Sequence, residues 1–197
     1  MSPDHCTVQP SLALAIASAI ACGALLAACA DATPAGSPMA AARSAPPASA
    51  KATAELKPTQ GNTAAGSVTL TQEGDRVVFA VDVRGLKPNQ EHGFHVHEKG
   101  DCSSPDAMSA GGHFNPTHKA HGPQDQDHHM GDLPALKADA AGNAKMSFAV
   151  PGTLAGPPET AFVGKAVVVH ANRDDYVTQP TGNSGARIAC GVVAMPG

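Results

Sequence analysis

Arg76-Val77-Val78-Phe79-Ala80-Val81-Asp82-Val83 decides the fold class. Val77, Phe79, Val81 and Val83 fall on one side of an extended chain, and Arg76, Val78, Ala80 and Asp82 on the other. That is the period-2 pattern of a half-buried strand. Upstream, 66–71 reads as a second strand, and Glu73-Gly74-Asp75 between the two is a hairpin signal. Runs of the same kind lie at 52–57, 92–97, 134–139, 144–150, 165–170 and 188–194, with Ala141-Gly142-Asn143 as another tight turn. No window carries a 3.6-residue period. An all-β domain is expected, with eight antiparallel strands in a barrel or a sandwich.

Two connections break this rhythm. Segments 98–133 and 171–187 lack strand pattern, and long structureless segments in a compact domain are usually functional. Of the ten histidines in the chain, eight lie between His92 and His129 and a ninth is His170. Imidazole is therefore concentrated where regular structure is absent.

Length and charge exclude several functions. The 197 residues allow one ordinary domain. With 13 basic and 17 acidic residues the net charge is −4, which argues against nucleic-acid binding, since that needs clustered basic charge. Aromatic residues make up 3% of the chain, too few for stacking platforms.

The amino terminus reads as an export signal rather than as part of the fold. Ser11 to Ala28 is uncharged and mostly Ala, Leu and Ile, and it ends in small residues. The preceding Met1 to Pro10 holds no Lys or Arg, unlike most such signals. Leu26-Ala27-Ala28-Cys29 resembles a bacterial lipobox, which would place acyl chains on Cys29 and tether the protein to a membrane in the periplasm or cell envelope. Ordinary cleavage near Ala28 or Ala30 is the alternative. From there the chain is Ala, Pro and Ser with little bulky apolar surface, as in a disordered tether. The expected organisation is a signal over 1–28, a tether over 29–51 and a folded domain over 52–197. Cys6 and Cys22 leave with the signal and Cys29 carries lipid, so Cys102 and Cys190 remain as an even pair in an exported chain.

His95-Val96-His97 places two imidazoles on one side of a strand, with Phe94 and Val96 on the other. Val167-Val168-Val169-His170 ends another strand on an imidazole. His113, His121 and His129 follow at intervals of eight, with Asp132 three residues beyond the last. Three imidazoles and a carboxylate suit a closed tetrahedral zinc site.

These residues sit in motifs that resemble the copper/zinc superoxide dismutase family. The motifs are Gly93-Phe94-His95-Val96-His97-Glu98, Gly111-Gly112-His113-Phe114-Asn115-Pro116, His129-Met130-Gly131-Asp132-Leu133 and Gly185-Ala186-Arg187-Ile188-Ala189-Cys190-Gly191. They occur in family order, across nearly the whole expected domain. The resemblance implies an eight-stranded Greek-key β-barrel, an immunoglobulin-like sandwich with two long loops forming the metal site. It implies copper held by His95, His97, His113 and His170, and zinc held by His113, His121, His129 and Asp132. It makes His113 a bridge between the metals and Asp174 an outer carboxylate bonded to ligand histidines on both. It pairs Cys102 with Cys190 and sets Arg187, with His113, in the catalytic machinery at the copper channel. The implied activity is dismutation of superoxide by copper redox cycling, protecting the cell envelope, with a homodimer as one assembly. His128 competes with His129, and Asp175 with Asp174, for their positions. His92, His118 and His5 match no ligand and are expected at the surface. Segment 171–187 is shorter than in the eukaryotic branch and lacks its Glu/Lys-rich stretch, so the chain resembles the bacterial exported branch.

Overall fold

The computed structural model describes residues 49–197. The expected signal, Cys29 and most of the tether lie outside the described residues, although Lys51, assigned to the tether, already opens the first strand. Strands run over Lys51–Pro58 (β1), Ala65–Glu73 (β2), Arg76–Arg84 (β3), Glu91–His92 (β4), Phe94–His97 (β5), Leu136–Lys137 (β6), Ala144–Pro151 (β7), Ala166–His170 (β8) and Arg187–Val192 (β9). A single 3-10 turn, Met108–Ala110, is the sole helical element among the described residues.

The hairpin that set the fold class forms at its turn signal. Glu73 pairs with Arg76 across the two-residue loop Gly74-Asp75. Gly74 takes φ +63°, the left-handed conformation that the first position of a type II′ turn requires. Val77, Phe79, Val81 and Val83 are buried, while Arg76, Ala80 and Asp82 face solvent. Phe79 stacks on Phe148 and meets Phe162 edge-on, both at 5.4 Å between centroids. Ala52, Ala54 and Leu56 of β1, Val68 and Leu70 of β2, and Val167 and Val169 of β8 complete one apolar core. Burial of each Val, Leu or Phe contributes about 1.5–3 kcal/mol.

One antiparallel sheet runs in the order β5-β8-β9-β1-β2-β3-β7, and β4 pairs separately with β6. The expected strand 92–97 is therefore split at Gly93 into β4 and β5. Gly93 turns aside because its N–H donates to Asn172 O and its carbonyl accepts from His170 N, and a side chain there would strike Ser184. With β4 and β5 counted as one interrupted strand, eight strands curl into the barrel, which β6 closes against β7. The chain leaves β3 to pair β5 with β8, and leaves β7 to reach β8, which are Greek-key crossings. The expected strand 134–139 shrinks to two residues, since Pro134 has no N–H to give a ladder.

The wall carries two kinds of side chain. Phe94 and Val96 enter the core with their partners Val169 and Val167, whereas His95 and His97 project outward with Val168 and Ala166. Segment 98–133 covers that outer face. Ala107 and Ala110 pack on Ala166, Val168 and Cys190, and the Cys102–Cys190 disulfide ties the segment to β9 with Cα atoms 5.8 Å apart. All five residues of β8 are consequently buried. Phe79→Ala should cost about 3–5 kcal/mol, as large-to-small changes in packed cores do, read from urea unfolding of the metal-free domain; a loss below about 1 kcal/mol would contradict this packing.

Candidate metal centre

The outward imidazoles of β5 meet residues from both long segments. Atoms of His95, His97, His113 and His170 converge within 4.8 Å of one another, and so do those of His113, His121, His129 and Asp132. All seven side chains are buried. Their hydrogen bonds decide which nitrogen of each ring is left to bind a cation. His97 donates through Nδ1 to Gly111 O (2.9 Å) and His170 through Nδ1 to Gly185 O (3.2 Å). His95 and His121 donate through Nε2 to the two oxygens of Asp174, at 2.7 and 2.9 Å. That leaves Nε2 of His97 and His170 and Nδ1 of His95 with free lone pairs turned toward the clusters, and turns His121 Nδ1 toward Asp132.

His113 belongs to both clusters. Its Nδ1 lies 2.8 Å from Asp132 Oδ1 and 3.4 Å from His129 Nδ1, while its Nε2 is buried without a partner on the other side. Asp132 Oδ1 also lies 2.9 Å from His121 Nδ1 and 3.2 Å from His129 Nδ1. On the other side His97 Nε2 and His170 Nε2 face each other at 3.3 Å. Buried polar atoms almost always find partners. Here His95 Nδ1 and His113 Nε2 have none, and each points into a cluster. This donor set fits two metal ions, one held by four imidazoles and one by three imidazoles and a carboxylate.

Comparison with known proteins agrees. Residues 64–193 match the family model described as copper/zinc superoxide dismutase. The chain is 40% identical over 148 residues to Superoxide dismutase [Cu-Zn] 2 of Aquifex aeolicus, covering 73% of this chain and 86% of that one. It is 44% identical over 155 residues to Superoxide dismutase [Cu-Zn] of Candida glabrata, covering 74% and 97%. This chain belongs to the copper/zinc superoxide dismutase family. Among solved structures, a double mutant of a SOD-like protein from Bacillus subtilis superposes with a TM-score of 0.66 at 38% identity, covering 72% of this chain and 96% of that chain. The clock protein EA4 superposes with the same TM-score at 39% identity, covering 75% and 96%.

Asp174, not Asp175, is buried between the clusters; Asp175 instead accepts from Val177, Thr178 and the Thr178 hydroxyl. His129 joins the cluster, whereas His128 turns its Nδ1 to His129 O at 2.6 Å. His118 is exposed as expected, and His5 lies outside the described residues. His92 corrects the expectation of a surface residue. It is 1% exposed and its Nδ1 donates to His170 O at 2.9 Å. Strand alternation carried the signal, since His92 has the parity of Phe94 and Val96 and so faces inward.

Arg187 spans from β9 to the covering segment, donating from Nη1 to Ala107 O (2.7 Å) and from Nη2 to Gly111 O (2.6 Å). Gly111 O thus receives both Arg187 and His97. Burial, with Arg187 and neighbouring imidazoles adding to it, holds His97 and His170 well below the ordinary histidine range. Burial likewise takes His113 down to about 4, against the opposing pull of Asp132. These rings are neutral, the form that binds metal. His121 differs, because hydrogen bonds to Asp132 and Asp174 together outweigh burial and raise it to about 9. Its charge therefore supports the metal-free fold below pH 6.5, and that support is lost as the pH rises through about 9. Zinc uptake by the metal-free protein at pH 7.5 should release about one proton from His121, declining toward zero above pH 9, as followed with an indicator dye in weak buffer. Proton release that does not vary across that interval would contradict a charged His121.

Proposed function

We propose that His95, His97, His113 and His170 hold copper and that His113, His121, His129 and Asp132 hold zinc, in a chain whose family makes it a superoxide dismutase. One observation carries the assignment: a single ring, His113, turns one nitrogen into each cluster. The reaction is 2 O₂⁻ + 2 H⁺ → O₂ + H₂O₂. Bound copper supplies one-electron chemistry between its +2 and +1 states, and zinc supplies charge without redox change.

The residues do the rest. His113 Nε2 is the atom at which a proton is held close to the reacting oxygen. Asp174 keeps His95 and His121 in the tautomers that leave Nδ1 free, because both of its oxygens accept from Nε2–H. Arg187 offers the positive charge that a small anion meets. From Cys29 onward the chain carries all 13 basic residues and all the acidic ones except Asp4, a net of −3, so the whole molecule repels superoxide. Attraction must be local, focused by low-dielectric walls around Arg187 and the metals.

Export to the periplasm, with acylation of Cys29, is supported by the apolar run Ser11–Ala28 and its Leu-Ala-Ala-Cys ending. A disulfide in the folded domain suits an oxidising compartment.

Superoxide consumption should appear on copper reconstitution of the zinc-loaded chain and be absent without copper. A protein that takes up both metals and consumes no superoxide would be a metal store on the same fold. Arg187→Ala should lower the rate about tenfold or more, equivalent to at least ~1.4 kcal/mol, and weaken its dependence on ionic strength. An unchanged rate and salt dependence would remove Arg187 from the mechanism. Cys29→Ala should move the protein from the membrane fraction to the released fraction on cell lysis; retention in the membrane would refute acylation there.

A further inference from the structure

His121 has no main-chain hydrogen bond to hold its backbone. It follows the exposed residues Thr117 to Ala120, lies in no strand, and neither its N–H nor its carbonyl pairs with another main-chain group among the described residues. Both are taken instead by one side chain from the opposite long segment. Gln179 Oε1 accepts from His121 N at 2.8 Å, and Gln179 Nε2 donates to His121 O at 2.9 Å. A side-chain amide thus replaces the missing strand neighbour. It holds the main chain of His121 in two places while Asp174 holds the ring from Nε2.

The turn that carries Gln179 is built to stay there. Gly182 N donates to Thr178 O and Asp175 N to Gly182 O, closing the turn. Gly182 takes φ +63°, and a Cβ at that position would overlap Asp174 Oδ1 and crowd His121 Nε2. The turn therefore approaches His121 as closely as a backbone can.

We propose that Gln179 is a positioning residue for the zinc ion, setting the approach of His121 Nδ1 through its backbone rather than touching the metal. This rests on the zinc assignment above. It links the two long segments at the zinc side as the disulfide and Arg187 link segment 98–133 to β9. Leu at 179 removes both hydrogen bonds. Glu keeps an acceptor for His121 N–H but sets an oxygen against His121 O, which is repulsive.

The test uses the metal-free, disulfide-bonded domain titrated with cobalt(II), whose visible d–d absorption reports ligand geometry, in competition with zinc. Gln179→Leu and Gln179→Glu should weaken cobalt and zinc binding roughly ten- to a hundredfold and alter the cobalt spectrum. The thermal midpoint of the metal-free variants should match the parent. Affinities within about twofold of the parent with superimposable spectra would overturn the proposal, as would a loss of metal-free stability equal to the loss of binding. If His129→Ala leaves the cobalt spectrum of the otherwise unaltered domain intact, the zinc assignment itself fails, an outcome distinct from a silent Gln179.

Discussion

The centre depends on burying polar nitrogen outside the barrel wall and settling four of its six rings by a hydrogen bond to a group outside the clusters. An imidazole removed from water needs partners for both nitrogens. In His95, His97, His121 and His170 one nitrogen is tied to a carboxylate or a carbonyl. The other is committed to whatever the cluster collects. The cost of leaving those second atoms unpaired is what makes the site select a cation, and Asp174 is central because its two oxygens settle one ring on each side.

Rigidity comes from the barrel, precision from the loops. β5 and β8 present His95, His97 and His170 on a wall braced from within by Phe94, Val96, Val167 and Val169. Segment 98–133 has almost no regular structure, so other contacts hold it. These are a disulfide to β9, two Arg187 hydrogen bonds, and main-chain bonds such as Val96 N to Gly131 O and Phe114 N to Val96 O. Gly111 O lies where these restraints meet the histidine clusters, accepting from both Arg187 and His97. The positions of the Arg187 guanidinium and the His97 ring are thus fixed through one carbonyl.

Much of the fold was legible because the cues are local. Alternation in β3 and the Gly74 turn each depend on a few adjacent residues, and both appear as expected. The errors arose where a distant contact overrode a local pattern. Gly93 breaks one strand because Asn172 and His170 take its backbone groups. His92 looked like a spare surface histidine until the inward parity of its strand and the carbonyl of His170 claimed it.

The residues that meet in the two clusters were legible for a different reason, since metal binding demands particular residue types and those were written in recognisable order. The sequence by itself determined strand periodicity, the cysteine pair and the list of imidazoles, because each is a matter of residue type and near spacing. Tertiary structure alone decided between Asp174 and Asp175 and between His129 and His128, where neighbours in the chain differ only in which way they point. It also decided which nitrogen of each ring is free, and that Gln179 reaches His121 from 58 residues away. Those outcomes depend on the meeting of two segments in space, and no local pattern encodes a hydrogen bond between residues so far apart.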